Sequence, residues 1–316
     1  MSGEHGGRDA AVEADVSVGD GPEGSGSGVA HDREETDHRS RRDRLERRLE
    51  AVVAANRFTI AVVFPVVGAA LLLASAADLL PPPLAFNPLL VVAGTAVMRL
   101  PLVAGLAPLL DRRATLALGV LAAYTYAIEY VGATTGVPYG TFEYGVALGP
   151  MLAGVIPLAL PLFFLPLVLD GYLLADRVRD RFGLPGWIRP VAGVAAILAI
   201  DLVLDPAAVA LGFWAYAGGG PLYGVPLSNF AGWLLSASVA VALVEVGFDL
   251  PALRERAATC RFLLDDLVSF VLLWGLVVGV TGRGLSLLVA VGLLSLLAAT
   301  GYFGGFGPAG DPRASR

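Results

Sequence analysis

Eight long apolar segments, separated by short polar breaks, fill the chain from residue 58 onward. They lie at about 58–78, 87–110, 114–134, 149–174, 188–212, 228–248, 262–281 and 284–304. Each is close to the length of about 20 residues that an α-helix needs to cross a bilayer. Only 16% of all residues are charged, against roughly 25% in soluble domains. We therefore predict an all-α integral membrane protein with about eight transmembrane helices, seven being the alternative.

The two ends of the chain differ from this membrane domain, which we place at 58–304. Residues 1 to about 38 are rich in Gly, Ser, Asp and Glu, and they offer too little apolar surface to offset the entropy of ordering, so we expect a disordered tail. Residues 39–57 are rich in arginine, which favours a surface helix against anionic headgroups or an orienting role for the first span. A short carboxy-terminal tail over 305–316 completes the domain organisation.

The arginines between the spans alternate from one loop to the next. Arginine is enriched in cytoplasmic loops. If the amino terminus is cytoplasmic, the outer loops hold only Arg283. The inner loops then hold Arg112, Arg113, Arg177, Arg179, Arg181, Arg189, Arg254, Arg256 and Arg261. This alternation predicts a multi-pass protein of the cell membrane with a cytoplasmic amino terminus.

The residue types within the membrane domain exclude several chemistries. All three histidines (His5, His31 and His38) precede the first span, and Cys260 is the only cysteine. Histidine-ligated iron or haem, a zinc site and disulfides are therefore excluded there. No glycine-rich fingerprint stands between a strand and a helix, as nucleotide binding would require. We expect chemistry by carboxylates, aromatics, hydroxyls and amides, with no cofactor, no metal and no nucleic-acid partner.

Two outer loops are rich in Gly, Pro and aromatic residues, and each follows a span that carries acids in its outer half. The first loop belongs to the stretch 129–144 and the second to the stretch 201–233. Non-helical backbone near membrane depth persists only where protein or a wet cavity satisfies its polar groups. We expect the two loops to border one shared cavity, although capping turns with interfacial aromatics are the simpler alternative.

Six charged residues lie within the predicted spans: Arg99, Glu129, Asp170, Asp201, Asp205 and Glu245. Each costs at least ~2.5–3.5 kcal/mol at a helix centre. Asp201 and Asp205 are four residues apart and share a helix face. Two neighbouring carboxyl groups in a poor dielectric do not both ionise readily, so one is expected to keep its proton and to serve as a general acid. We expect Asp170 and Glu245 to reach the inner interface or to pair with loop arginines, and Arg99 to neutralise an acid or to contact a substrate.

Two motif blocks combine these acids with ordered Gly, Pro and aromatic positions. The first block comprises Glu129, Gly132, the Thr-Gly-Val-Pro-Tyr-Gly stretch at 135–140, and Tyr144. The second comprises Asp201, Asp205-Pro206, Trp214, Gly-Val-Pro at 224–226, and Asn-Phe-x-Gly-Trp at 229–233. In these blocks the chain resembles the CruF-type carotenoid hydratase family over roughly residues 58–304. The resemblance implies addition of water to the terminal carbon–carbon double bonds of a C50 carotenoid within membrane lipid, with other membrane enzymes of carotenoid synthesis as candidate partners.

The candidate residues fit this reaction. Protonating a trisubstituted alkene gives a tertiary carbocation, which requires a protonated acid, a π-rich wall and a positioned water. Asp201 and Asp205 are candidate acids, and Glu129 is the candidate base, although acid and base are exchangeable. Asn229 is expected to assist by hydrogen bonds, and Arg99 by contact with substrate. Aromatic faces attract cations, and the candidates are Tyr139, Tyr144, Trp214, Tyr216, Tyr223 and Trp233.

Two other classes of protein remain open. The Asp201-to-Asp205 spacing is similar to the second aspartate motif of intramembrane prenyltransferases, but their first motif, Asn-Asp-x-x-Asp, is missing. A proton-coupled transporter also carries acids at mid-depth. A transporter predicts a polar path to the inner face through Asp170 or Glu245. A hydratase predicts a blind apolar groove that is open to lipid.

Overall fold

The computed structural model describes residues 26–305, with side-chain surroundings for residues 41–304. The helices are α1 (Gly26–Ala55), α2 (Phe64–Ala76, after a π-helical turn Thr59–Val63), α3 (Pro88–Leu106), α4 (Arg112–Thr135), α5 (Leu160–Phe182), α6 (Ile188–Leu211), α7 (Leu227–Gly247), α8 (Leu250–Thr259), α9 (Asp265–Val280) and α10 (Gly284–Ala299). The strands are β1 (Phe142–Tyr144), β2 (Met151–Leu152), β3 (Ile156–Pro157) and β4 (Trp214–Tyr216). The chain divides after Leu45 into two compact units, and the second unit holds every element after α1.

Helix boundaries follow local capping chemistry. Asn87 precedes α3, where its Oδ1 accepts hydrogen bonds from the backbone N of Leu89 at 3.0 Å and of Leu90 at 3.2 Å. An N-cap of this kind satisfies amides that have no partner within the helix. Gly136 ends α4 at φ +76° and Gly212 ends α6 at φ +73°, a backbone region that glycine adopts without steric cost. The chain therefore leaves both helices sharply and enters the two motif loops.

The apolar helices confirm an all-α membrane protein. Over the described residues, five helical segments are long and apolar enough to cross a bilayer: Thr59–Ala76, Pro88–Leu109, Arg112–Thr135, Ile188–Leu211 and Leu227–Gly247. A shorter apolar helix runs over Gly284–Ala299. Each of the eight segments predicted from the sequence overlaps one helix, in chain order α2 to α7, then α9 and α10.

The structure differs from the sequence predictions in three places. The segment predicted at 149–174 becomes helical only at Leu160, because Ala153 and Gly154 turn the preceding residues into the β2–β3 hairpin. A predicted inner loop contains α8, which buries Leu253 and Ala257 on one side. Helix α1 begins at Gly26, within the predicted disordered tail. The rest of that predicted tail, residues 1–25, lies outside the described residues, as do residues 306–316.

Helices α5, α6 and α9 form the centre of the membrane domain. Every residue of α5 from Pro166 to Asp176 is buried, and so is every residue of α9 from Asp265 to Val271. Gly171 allows α5 and α6 to pack closely, because a Cβ atom there would lie 2.9 Å from the backbone N of Ile197. The outer faces of α2, α3, α4 and α10 expose large apolar side chains, as helices that face lipid do.

A two-stranded antiparallel sheet joins the two motif loops. Strand β1 pairs with β4 in the register Phe142↔Tyr216 and Tyr144↔Trp214. Side chains alternate across a strand, so Phe142 and Tyr144 share one face, and the intervening Glu143 is exposed. This ladder brings the connection after α4 against the connection after α6, as the sequence analysis expects of loops around one cavity.

Candidate active site

A cavity of about 610 Å³ lies inside the membrane domain and beneath the β1–β4 ladder. Helices α2, α3, α5, α6 and α9 contribute most of its wall, and the wall is predominantly apolar. Its volume is within the range of ordinary small-molecule sites, roughly 300–1,000 Å³. Polar side chains reach it at a few points only, and Glu129, Asp205 and Asn229 are among them.

Asp205, Asn229 and Tyr216 form a hydrogen-bonded group at the cavity wall. The Tyr216 hydroxyl oxygen lies 3.1 Å from Asp205 Oδ2 and 3.0 Å from Asn229 Oδ1. Asn229 Nδ2 donates to Asp205 Oδ2 and, at 3.3 Å, to Asp201 Oδ2. Asp201 is fully buried and does not line the cavity, and its Oδ1 has no hydrogen-bond partner among the described residues. The two aspartates are therefore linked through one amide, with Asp205 nearer the cavity.

Glu129 forms a second polar contact at the same cavity. The Tyr144 hydroxyl donates a hydrogen bond to Glu129 Oε1. Burial, followed by the nearby Glu129 charge, raises the pKa of Tyr144 well above its ordinary value. Burial likewise raises the pKa of Tyr216. Both phenols therefore remain protonated. Tyr144 donates its proton to Glu129, and Tyr216 has one proton for two neighbouring oxygens, Asp205 Oδ2 and Asn229 Oδ1.

Aromatic rings cover the wall around these acids. Trp214 meets the ring of Tyr144 edge to face, with centroids 6.4 Å apart. Phe142 lies beside Tyr144 at 5.6 Å and Tyr216 at 5.9 Å. The cavity is also lined by Phe86, Tyr139, Phe164, Phe213, Trp233, Phe270 and Trp274. Ring faces attract positive charge, so this wall suits a cation that forms beside Glu129 and Asp205.

The ring of Tyr139 packs between two glycines. A Cβ atom would lie 2.8 Å from this ring at Gly132 and 2.4 Å from it at Gly232. The Tyr139 hydroxyl bonds to Oγ of buried Ser236 at 2.6 Å, and Ser236 also contacts the Tyr124 hydroxyl at 3.1 Å. The two glycines of the motif blocks thus make room for a ring of the cavity wall.

Gly232→Ala is expected to displace Tyr139 and to lower stability by about 1–3 kcal/mol, the usual cost of overpacking. Thermal unfolding of the purified protein in detergent measures this change. Gly292→Ala is the matched control, because a Cβ atom at Gly292 would meet nothing within 4 Å. Equal unfolding temperatures for the two variants would contradict the packing described for Tyr139.

Most of the site residues predicted from the sequence border this one cavity. They are Arg99, Glu129, Tyr139, Tyr144, Asp205, Trp214, Tyr216, Asn229 and Trp233. Asp201 stands behind Asp205. Tyr223 does not line the cavity, and its hydroxyl accepts a hydrogen bond from the backbone N of Leu285 at 3.0 Å. Phe142 also lines the cavity and is not among the residues predicted from the sequence; the alternation along β1 places it on the face of Tyr144.

Arg99 belongs to a separate polar cluster with two buried acids. Arg99 forms an ion pair with Asp266 of α9, a residue that the sequence analysis missed. A buried arginine requires an acid nearby. Asp265 and Asp266, at the start of the predicted span 262–281, are candidates for pairing with Arg99 from the sequence alone. The expectation that Asp170 reaches the inner interface or pairs with a loop arginine is wrong, because Asp170 is 1% exposed and interacts with Asp266 and Arg99.

The expectation that Glu245 pairs with a loop arginine is confirmed. Arg189 donates to both carboxylate oxygens of Glu245, each at 2.7 Å. Tyr172 donates a further hydrogen bond to Oε1 at 2.9 Å. Neither Glu245 nor Asp170 is among the described residues that line the cavity. Asp170 interacts with Arg99, which lines the cavity, but no contact links Glu245 to the cavity among the described residues, so the polar path that a transporter predicts does not run through Glu245.

Two comparisons relate this chain to known proteins. A family described as carotenoid biosynthesis protein matches residues 86–298, and the chain belongs to this family. The matched region contains every candidate site residue named above. The bisanhydrobacterioruberin hydratase of Haloarcula japonica is 60% identical to the chain over 223 residues, which are 71% of this chain and 76% of that protein. No solved structure matches the chain.

Proposed function

We propose that this chain is a carotenoid hydratase that adds water to the terminal carbon–carbon double bonds of a C50 carotenoid, converting bisanhydrobacterioruberin to bacterioruberin. The observation that carries the proposal is an apolar cavity with two acids, Glu129 and Asp205, at its wall among aromatic rings. The 60% identity to a protein named as such a hydratase supports the same substrate. The reaction is a hydro-lyase reaction, in which no oxidation state changes.

Asp205 is the acid that we propose protonates the alkene. The Tyr216 hydroxyl has one proton, but its oxygen contacts both Asp205 Oδ2 and Asn229 Oδ1. Both protons of the Asn229 amide are already directed to Asp201 and Asp205. Asn229 Oδ1 has no proton to give, so the single Tyr216 proton is donated to Asn229. The contact between Tyr216 and Asp205 is then a hydrogen bond only if Asp205 carries a proton and donates it to Tyr216. This proton count supports a neutral Asp205, ready to act as a general acid.

The proposed reaction has two steps. The proton of Asp205 adds to the less substituted alkene carbon, and the positive charge develops on the tertiary carbon between the rings of Tyr144, Trp214 and Tyr216. The oxygen of a water molecule then bonds to that carbon, and Glu129 accepts the proton that the water releases. Proton return from Glu129 to Asp205 restores the site. The net change is one alkene and one water converted to one tertiary alcohol.

The substrate enters from lipid, we propose, along the side of the cavity formed by α2 and α3. Several large side chains that line the cavity there are also exposed on the outer surface, and Val67 and Leu71 are 50% and 45% exposed. Leu84 of the α2–α3 connection and Leu90 of α3 show the same combination. An apolar wall that continues onto the lipid-facing surface lets a long polyene insert one end and leave its remainder in the membrane.

Leu71→Trp is expected to lower kcat/KM for the carotenoid about tenfold, because the indole ring would occupy part of the entrance through which the polyene inserts. Rates of pigment hydration over a range of carotenoid concentrations measure the effect. Leu288→Trp is the matched control, because Leu288 is 69% exposed on α10 and does not line the cavity. Unchanged kcat/KM in Leu71→Trp would place the entrance elsewhere.

The chain crosses the cell membrane eight times, we propose, with its amino terminus in the cytoplasm, as the arginine distribution predicts. A cysteine introduced at Gly219 is then expected to react with an impermeant maleimide in intact cells. A cysteine at Arg181 is expected to react only after permeabilisation. Replacing native Cys260 by Ser in both variants removes background labelling. The opposite pattern would invert the proposed topology.

Expression in a host that accumulates the unhydrated carotenoid tests the proposed function. We expect the pigment to gain the mass of one or two water molecules, and membranes treated with EDTA to retain the activity. A gain of an isoprenoid unit would instead support a prenyltransferase. Unchanged pigment in a host that produces the inserted protein would contradict hydration.

A further inference from the structure

The cluster of Arg99, Asp170 and Asp266 is buried, polar and incompletely paired. Their exposed fractions are 5%, 1% and 0%. Arg99 is paired with Asp266, and Asp170 is close enough to Asp266 and Arg99 for their charges to interact. Three buried atoms nevertheless have no hydrogen-bond partner among the described residues: Arg99 Nε, Asp170 Oδ1 and Asp266 Oδ2. Buried polar groups without partners are costly, and ordered water commonly satisfies them.

The unpaired atoms define the chemistry of the ligand. Arg99 Nε is a donor, and the two carboxyl oxygens are acceptors in their ionised form. A bare cation offers no acceptor for Arg99 Nε, and an anion offers no donor for the carboxyl oxygens. Water both donates and accepts, and a buried water typically makes about three hydrogen bonds. We propose that Arg99, Asp170 and Asp266 form a water-binding site, and that this site supplies the water consumed in the cavity.

Arg99 connects this site to the cavity. Arg99 lines the cavity, whereas Asp170 and Asp266 do not. The Arg99 guanidinium carbon lies 5.9 Å from the centroid of the Phe270 ring, and Phe270 also lines the cavity. The binding of water depends only on the cluster, while its use as a reactant rests on the proposed function.

Radiolytic hydroxyl-radical labelling of the whole protein in lipid vesicles tests the site, because bound water generates radicals beside buried side chains. Phe270 and Phe248 form a matched pair: both are phenylalanines, with 4% and 3% exposure, and Phe248 does not line the cavity. We expect Phe270 to be oxidised at least about fivefold faster than Phe248, since only Phe270 lies beside the proposed water. Equal rates in the wild-type protein would overturn the site.

Two variants at Asp170 separate water binding from a structural role. Asp170→Leu removes the acceptor, so we expect Phe270 oxidation to approach the Phe248 rate, and carotenoid turnover to fall about tenfold at unchanged KM. Asp170→Asn retains an oxygen that accepts a hydrogen bond from water, so we expect it to keep most of the Phe270 oxidation and most of the carotenoid turnover. Equal losses in the two variants, or wild-type labelling in Asp170→Leu, would contradict the proposal. Labelling that follows this pattern in a protein without hydratase activity would overturn the proposed function and leave the water site standing.

Discussion

Replacing Asp205 by Asn is expected to lower the hydration rate by about 10²- to 10⁴-fold, the range that a positioned general acid contributes. The amide keeps the size of the side chain, and its oxygen still accepts the hydrogen bond from Asn229, but it does not supply an acid proton. Conversion of the carotenoid by purified protein in detergent measures the loss. Thermal unfolding of the same samples checks that the variant is folded.

Two further substitutions serve as comparisons for Asp205→Asn. Asp201→Asn is expected to have a smaller effect, because Asp201 lies behind Asp205 and reaches it only through Asn229. Asp176→Asn is the matched control, since Asp176 is a buried acid near the inner end of α5 and does not line the cavity. Full activity in Asp205→Asn would remove this residue from the mechanism, and a larger loss in Asp201→Asn would make Asp201 the proton donor.

Glu129→Gln is expected to lower the hydration rate by about 10²-fold or more, because the amide does not accept the proton that water releases. Tyr144→Phe removes the hydrogen bond to Glu129 and is expected to cost about tenfold, in keeping with about 1.5–3 kcal/mol for a hydrogen bond to a charged group. Single-turnover rates with excess protein measure both effects without a contribution from product release.

Glu143→Gln provides the control for Glu129→Gln. Glu143 is next to Tyr144 in sequence but exposed on the opposite face of β1. The hydration rate of Glu143→Gln is therefore expected to match that of the wild-type protein. If Glu129→Gln retained full activity while Asp205→Asn did not, the reaction would require a different base. Equal losses in Glu143→Gln and Glu129→Gln would indicate a disturbed β1–β4 ladder rather than a lost base.

The outline of the membrane domain and much of the candidate site follow from the sequence because the bilayer imposes strong constraints. Long apolar stretches require helices, and charges within them are costly enough to mark special positions. This cost marks Glu129, Asp205 and Arg99 in the sequence, and all three line the cavity. The two motif loops were expected to meet because each follows a span that runs in the same direction.

Features that depend on packing were not predictable from the sequence. The pairing of Arg99 with Asp266 joins residues 167 positions apart, and several acids were possible partners. Tyr223 belongs to a motif rich in site residues, yet its hydroxyl contacts the start of α10. The mixed composition of residues 250–259 predicts a loop, but burial of Leu253 and Ala257 stabilises helix α8 there.

The size of the cavity has a consequence for the order of events on a substrate with two reactive ends. A volume of about 610 Å³ suits a drug-sized molecule, which is only a fraction of a fifty-carbon chain. Only one terminus of the polyene then reacts per visit, and the opposite terminus stays in the surrounding lipid. The enzyme would act distributively, releasing a singly hydrated, asymmetric pigment that diffuses in the bilayer, reorients and returns for its second water.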